Sequence, residues 1–188
     1  DTVGLFASTE PAATVRELRL TDVQVTGSQH VGALVGRNGG TIDAVAVTGS
    51  VAGTSTRVGA VAGRSSGTIN AVTVDATVTG AATTGGVVGW NDEGRITDAT
   101  VRGSVTGERR YVGGLTGYSS GPITGAVVDV AVDGGMEYVG GLVGYNVAAI
   151  AASTAAGGVG LSTAAMTGTT AETELSGLGF GVAWQVVP

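Results

Sequence analysis

Residues Val31-Gly-Ala-Leu-Val-Gly36, followed by Gly40-Thr-Ile42, decide how this chain folds, because the Gly block returns after 27, 26, 28 and 27 residues and the aliphatic residue behind it returns every 27. It recurs as Gly59-Ala-Val-Ala-Gly63, Gly85-Gly-Val-Val-Gly89, Gly113-Gly-Leu-Thr-Gly117 and Gly140-Gly-Leu-Val-Gly144, with a shortened first copy at Val3-Gly4-Leu5-Phe6. Behind each copy stands one aliphatic residue, giving the series Val15, Ile42, Ile69, Ile96, Ile123 and Ile150. Further aliphatic residues follow at fixed offsets, as in Val45, Val47 and Val51 or Val72, Val74 and Val78, and most copies close on Gly53, Gly80, Gly107 or Gly134. A fixed period of this size marks a stacked repeat architecture. No copy holds an amphipathic run of helix formers, whereas short Val-rich alternations broken by Gly read as strands and turns.

One copy per coil, with coils paired in parallel at about 4.8 Å, predicts an all-β parallel β-solenoid (β-helix) whose like residues stack on like inside it. It has about six coils of 27 residues and forms a rod of roughly 25 to 30 Å. The three-residue step from Val31 to Leu34 requires a bulge or turn, and Gly32 supplies either positive φ or close backbone approach. The solenoid is expected over residues 1–160 and a separate extension over 161–188. In that extension Leu178, Phe180, Val182, Trp184 and Val186 alternate with Gly179, Gly181, Ala183, Gln185 and Val187, the pattern of a C-terminal capping strand. An open solenoid end leaves strand edges unpaired. The alternative is therefore that this strand, or the bare end coil, docks on Val3, Leu5 and Phe6 of a neighbouring copy and builds a head-to-tail fibre.

The 188 residues include 35 Gly and are 43% hydrophobic but only 4% aromatic, so the core is built from small and β-branched groups. With no Cys and a single His, disulfides and thiolate or multi-histidine metal sites are excluded, and no cofactor or metal is expected. Nine Arg, no Lys and fifteen acids give −6, which argues against non-specific nucleic-acid binding. The uncharged stretch Tyr138 to Ala171 is long enough to cross a bilayer, but its small polar residues and its place in the repeat argue against a membrane span. The chain begins at Asp1 without a charged-then-apolar leader, as a mature secreted product or a segment of a longer protein would.

The Gly-x-aliphatic-x-Gly block with its Gly-Thr-Ile resembles the GLUG-motif repeat family over about residues 1–160. The first copy, and the copy after Ile150 where Val147-Ala-Ala replaces the polar turn, depart from that pattern. Members of the family are segments of large secreted or surface-attached proteins, including adhesin-like proteins and the non-catalytic region of immunoglobulin A-specific metallopeptidases. The resemblance implies a secreted or cell-surface spacer or adhesive module and transfers no catalytic residue.

Two outward columns flank the Gly block. The residue after each second Gly gives Arg37, Arg64, Trp90, Tyr118 and Tyr145, and the residue before most Val-Gly pairs gives His30, Arg57, Thr83, Tyr111 and Tyr138. The first column reads as a structural ladder shielding the turn, or as a stacking platform for a sugar chain or other surface partner with Arg64 over Trp90. Asn38, Ser65, Asn91, Ser119 and Asn146 are expected to satisfy turn backbone groups between coils. The best acidic cluster, Asp92, Glu93 and Asp98, reads as a solvated turn, and no nucleophile constellation forms around His30. The expected function is thus a non-enzymatic extracellular structural or adhesive rod, with fibre assembly and carbohydrate binding as alternatives.

Overall fold

A computed structural model describes residues 1–135 and 137–156. These residues form a parallel β-solenoid of six coils, with 24 strands in four six-stranded sheets and no helix among them. Each coil contributes one strand to each sheet in chain order. Coil 1 uses Thr2–Val3, Phe6–Thr9, Thr14–Arg16 and Arg19–Gly27, and coil 4 uses Thr84–Gly85, Val88–Asn91, Arg95–Thr97 and Thr100–Gly107. Coils 2, 3, 5 and 6 begin at His30–Val31, Val58–Gly59, Arg110–Gly113 and Glu137–Gly140.

The third sheet keeps the 27-residue register throughout, whereas in the first two sheets coil 4 sits one residue early, Val58 pairing with Thr84 and Ala62 with Val88, and the longer turn after Asn91 restores the register. Val15, Ile42, Ile69, Ile96, Ile123 and Ile150 pair in series through the third sheet. In the fourth sheet Val47, Val74, Val101 and Val128 form one inward row, and Val51, Val78, Val105 and Val132 a second. Ile42, Ile69, Ile96 and Ile123 are fully buried, as is nearly every valine of these rows. Burial of one such side chain contributes about 1.5–3 kcal/mol, so identical rungs repeat the same stabilisation from coil to coil.

The corners explain the glycines. The expected positive φ does not occur at Gly32 or its equivalents; close backbone approach is the reason for Gly there. A Cβ on Gly32 would lie 2.4 Å from the Val35 carbonyl oxygen, and one on Gly113 2.2 Å from that of Thr116, closer than any side chain can sit. Positive φ appears instead between the third and fourth strands, at Glu17, Ala44, Ala71, Asp98, Gly125 and Ala152 in successive coils. The N–H of each of the first five donates to a carbonyl of the next coil, as in Ala44 to Asn70 at 3.1 Å. A left-handed turn costs a non-Gly residue about 1–2 kcal/mol, so this corner is strained in five coils and relaxed only at Gly125.

Another corner carries the predicted polar ladder. Asn38, Ser65, Asn91 and Ser119 are buried. Asn38 Nδ2 donates to the Gly40 carbonyl and to Ser65 Oγ, and Asn91 Nδ2 to the Gly94 carbonyl and to Ser119 Oγ. Each amide thus closes its own turn and tethers it to the next coil.

Coil 1 is less buried than the coils that follow it. Val3, Val15, Leu20 and Val25 are only half buried, and Leu5 and Phe6 are 58% and 42% exposed. The fourth strand of this coil is bulged between Leu20 and Val23, with Asp22 at φ 52. The extension at 161–188, with Leu178, Phe180, Val182, Trp184 and Val186, lies outside the described residues. No helix among the described residues is long and apolar enough to cross a membrane.

Candidate binding face

The glycines of the repeat bring the two outward columns together. The second Gly of each block lies against the backbone of the first strand: a Cβ on Gly117 would be 2.3 Å from the Tyr111 carbonyl oxygen, and one on Gly144 2.6 Å from that of Tyr138. The first and second sheets therefore meet backbone to backbone. The outward residues flanking that seam, 111 with 118 and 138 with 145, are forced into one band.

Within a coil these pairs meet edge to face, Tyr111 with Tyr118 at 6.2 Å and Tyr138 with Tyr145 at 5.1 Å between centroids. Between coils they stack. Trp90 and Tyr118 lie 3.9 Å apart at 17°, Tyr118 and Tyr145 5.8 Å apart at 10°, and Tyr111 and Tyr138 5.2 Å apart at 26°. Both arrangements suit the aromatic quadrupole. Trp90 and Tyr118 turn their faces toward each other, and both are partly buried.

The cation–π step has a different donor from the one the register suggested. Arg64 is the strand partner of Trp90 but forms an ion pair with Asp92. Arg57, from the neighbouring column, caps the Trp90 ring with its guanidinium carbon 5.1 Å from the centroid. Arg57, Tyr111 and Tyr138 stand in a column of their own in the sequence, where the shared signal is that each precedes a Val-Gly pair. The structure joins them to the first column and gives each a φ near +60. Bulky residues in that conformation are uncommon, and it persists only where surrounding contacts hold it.

Toward coil 2 the band turns cationic. His30 is 3% exposed and lies between two guanidinium groups, with Arg57 Nη1 2.8 Å from Nε2 and Arg37 Nη2 3.5 Å from Nδ1. Since a guanidinium only donates, Nε2 accepts from Arg57 and the neutral ring carries its proton on Nδ1. Burial, and then Arg37, Arg57 and Arg64, lower the imidazole from its ordinary 6.5 to about 4. Desolvation and the neighbouring Arg64 and Arg37 lower Arg57 too, with Asp92 opposing them.

Of the acidic cluster Asp92, Glu93 and Asp98, Asp92 is taken by Arg64, while Glu93, whose backbone N–H donates to Ser120 Oγ at 3.0 Å, and Asp98 are exposed.

No curated protein and no solved structure matches the chain. Residues 80–106 match the family model of the GLUG motif, a match covering the strands of coil 4. Coil 4 pairs residue for residue with coils on both sides that carry the same Gly block. Residues 80–106 thus carry a GLUG motif within a chain folded as a β-solenoid, consistent with the GLUG-repeat resemblance.

Proposed function

We propose that this solenoid is a non-enzymatic extracellular module, secreted or held at a cell surface, whose rod displays the Arg–aromatic band as an adhesive face. One observation carries the reading: all four tyrosines of the chain, with Trp90 and Arg57, gather on one side of a core that contains no aromatic residue among its buried members. These residues do not fill the interior, and Tyr, Trp and Arg are the types that dominate recognition hot spots. The continuous inter-coil ladder gives the face the stiffness that limits entropy loss on binding. The test is adhesion of the purified chain to cells and to an immobilised glycan panel. Trp90→Ala/Tyr118→Ala abolishes adhesion while the strand signature persists; undiminished adhesion contradicts the reading.

A second reading is head-to-tail assembly. It rests on exposed Leu5 and Phe6 beside the half-buried row of coil 1. The bulge at Leu20/Val23 disturbs strand addition along the fourth sheet, so assembly would run through the first three. Light scattering over a concentration series tests it: growth of rods that Leu5→Ser/Phe6→Ser prevents supports assembly, and a concentration-independent monomer excludes it.

A further inference from the structure

Two of the nine arginines of a chain with net charge −6 bracket one buried imidazole at the coil 2 to coil 3 end of the band. Arg37 and Arg57 approach the two ring nitrogens of His30, one each, and Arg64 is the direct strand partner of Arg37. Like charges placed opposite one another across strands are destabilising. Asp92 engages Arg64, and no other ion pair within 4.0 Å is present among the described residues. The Arg37 group faces the proton-bearing Nδ1 of His30, so donor meets donor there, and the one acceptor of the neutral ring, Nε2, is already taken by Arg57. An oxyanion lying across the outward N–H groups of Arg37 and Arg57 would remove this repulsion and supply the missing acceptors.

We propose that Arg37, Arg57 and Arg64 form a receptor for an oxyanion group carried on a sulfated polysaccharide. This rests on the adhesive reading of the band only for the polymer; the oxyanion site itself stands on the arginine geometry. A polysaccharide fits the band because its sugar-to-sugar repeat is close to the coil spacing of about 4.8 Å. Tyr118, stacked on the Trp90 that Arg57 caps, continues the band with an aromatic residue that carries a hydroxyl suited to hydroxyl-rich partners. The acidic remainder of the molecule repels an anionic polymer and confines it to this patch.

The experiment uses the full 188-residue chain and titrates dextran sulfate, uncharged dextran, polyglutamate and inorganic sulfate against wild type, Arg37→Gln, Arg57→Gln and Trp90→Ala. Dextran sulfate binds, dextran does not, affinity falls with salt, and each Gln variant binds about tenfold more weakly with an intact fold. Inorganic sulfate raising the melting temperature of wild type but not of Arg37→Gln, with no polymer bound, supports the oxyanion site and overturns its polysaccharide, leaving the adhesive reading to the cell and glycan-panel assay. Polyglutamate binding more tightly than dextran sulfate overturns the polysaccharide in favour of an acidic protein. Equal affinity of wild type and both Gln variants for every anion overturns the site. If Trp90→Ala alone then loses polymer binding, the adhesive face survives without it.

Discussion

Arg57 lies over the Trp90 ring with its guanidinium carbon 5.1 Å from the centroid, although Arg64 and not Arg57 is the strand partner of Trp90. The stack Arg57–Trp90–Tyr118–Tyr145 therefore crosses from one outward column to the other. Removing either of its first two members leaves the other partly unsupported. A double-mutant cycle with Arg57→Ala and Trp90→Ala is expected to give a coupling of about 0.5–1 kcal/mol. The same cycle built on Arg64 and Trp90 gives a smaller coupling. Chemical denaturation of the four variants in each cycle measures both.

The left-handed corner between the third and fourth strands supplies a stabilising substitution. Ala44 and Ala71 are exposed and have φ of 51 and 50, so a glycine there relieves strain without loss of packing. The relief of about 1–2 kcal/mol is partly offset by the greater freedom of Gly in the unfolded chain, about 0.5–1 kcal/mol. Ala71→Gly is expected to raise stability by up to about 1 kcal/mol, and Gly125→Ala to lower it by a similar amount. Shifts of the denaturation midpoint, with the slope unchanged, check both signs.

The first Gly of the block behaves in the opposite way. A Cβ on Gly113 would collide with the Thr116 carbonyl oxygen, backbone that cannot turn aside. Gly113→Ala is expected to cost about 3 kcal/mol or more and to separate Tyr111 from Tyr118, because the seam between the first two sheets must open. Ile96→Val, which shortens one rung of the buried ladder, costs about 0.5–1.5 kcal/mol. Thermal melts rank the two, and near-ultraviolet circular dichroism reads the tyrosine band.

His30 gives the protein a pH response. Its folded value of about 4 lies below the ordinary 6.5, so the unfolded chain binds the proton more readily in that interval. Stability from the neutral ring is complete above about pH 6.5 and is lost as the pH falls toward 4. The melting temperature of wild type is expected to decline across this window more steeply than that of His30→Gln. Ring-proton chemical shifts that titrate near 6.5 in the native protein contradict this.

The sequence made the fold legible where one residue type repeats in one place. The Ile column fixed the register because a slip of one residue would turn every core side chain outward. The Asn and Ser series showed the polar corner for the same reason. The left-handed corner stayed hidden, since Glu17, Ala44, Ala71, Asp98 and Ala152 fill it without the glycine that signals positive φ. Half of the band was legible as the column Arg37, Arg64, Trp90, Tyr118 and Tyr145. Its union with Arg57, Tyr111 and Tyr138 depends on the glycine seam, a contact between two strands of one coil that inter-coil periodicity does not encode.

The most direct test of the account compares three forms of the full chain for adhesion to intact cells: wild type, Trp90→Ala/Tyr118→Ala, and Leu5→Ser/Phe6→Ser. If the band is the working surface, the face variant loses adhesion and the end variant keeps it, with all three retaining the solenoid spectrum. Adhesion that survives the face variant and disappears with the end variant contradicts the account and moves the function to the ends of the rod.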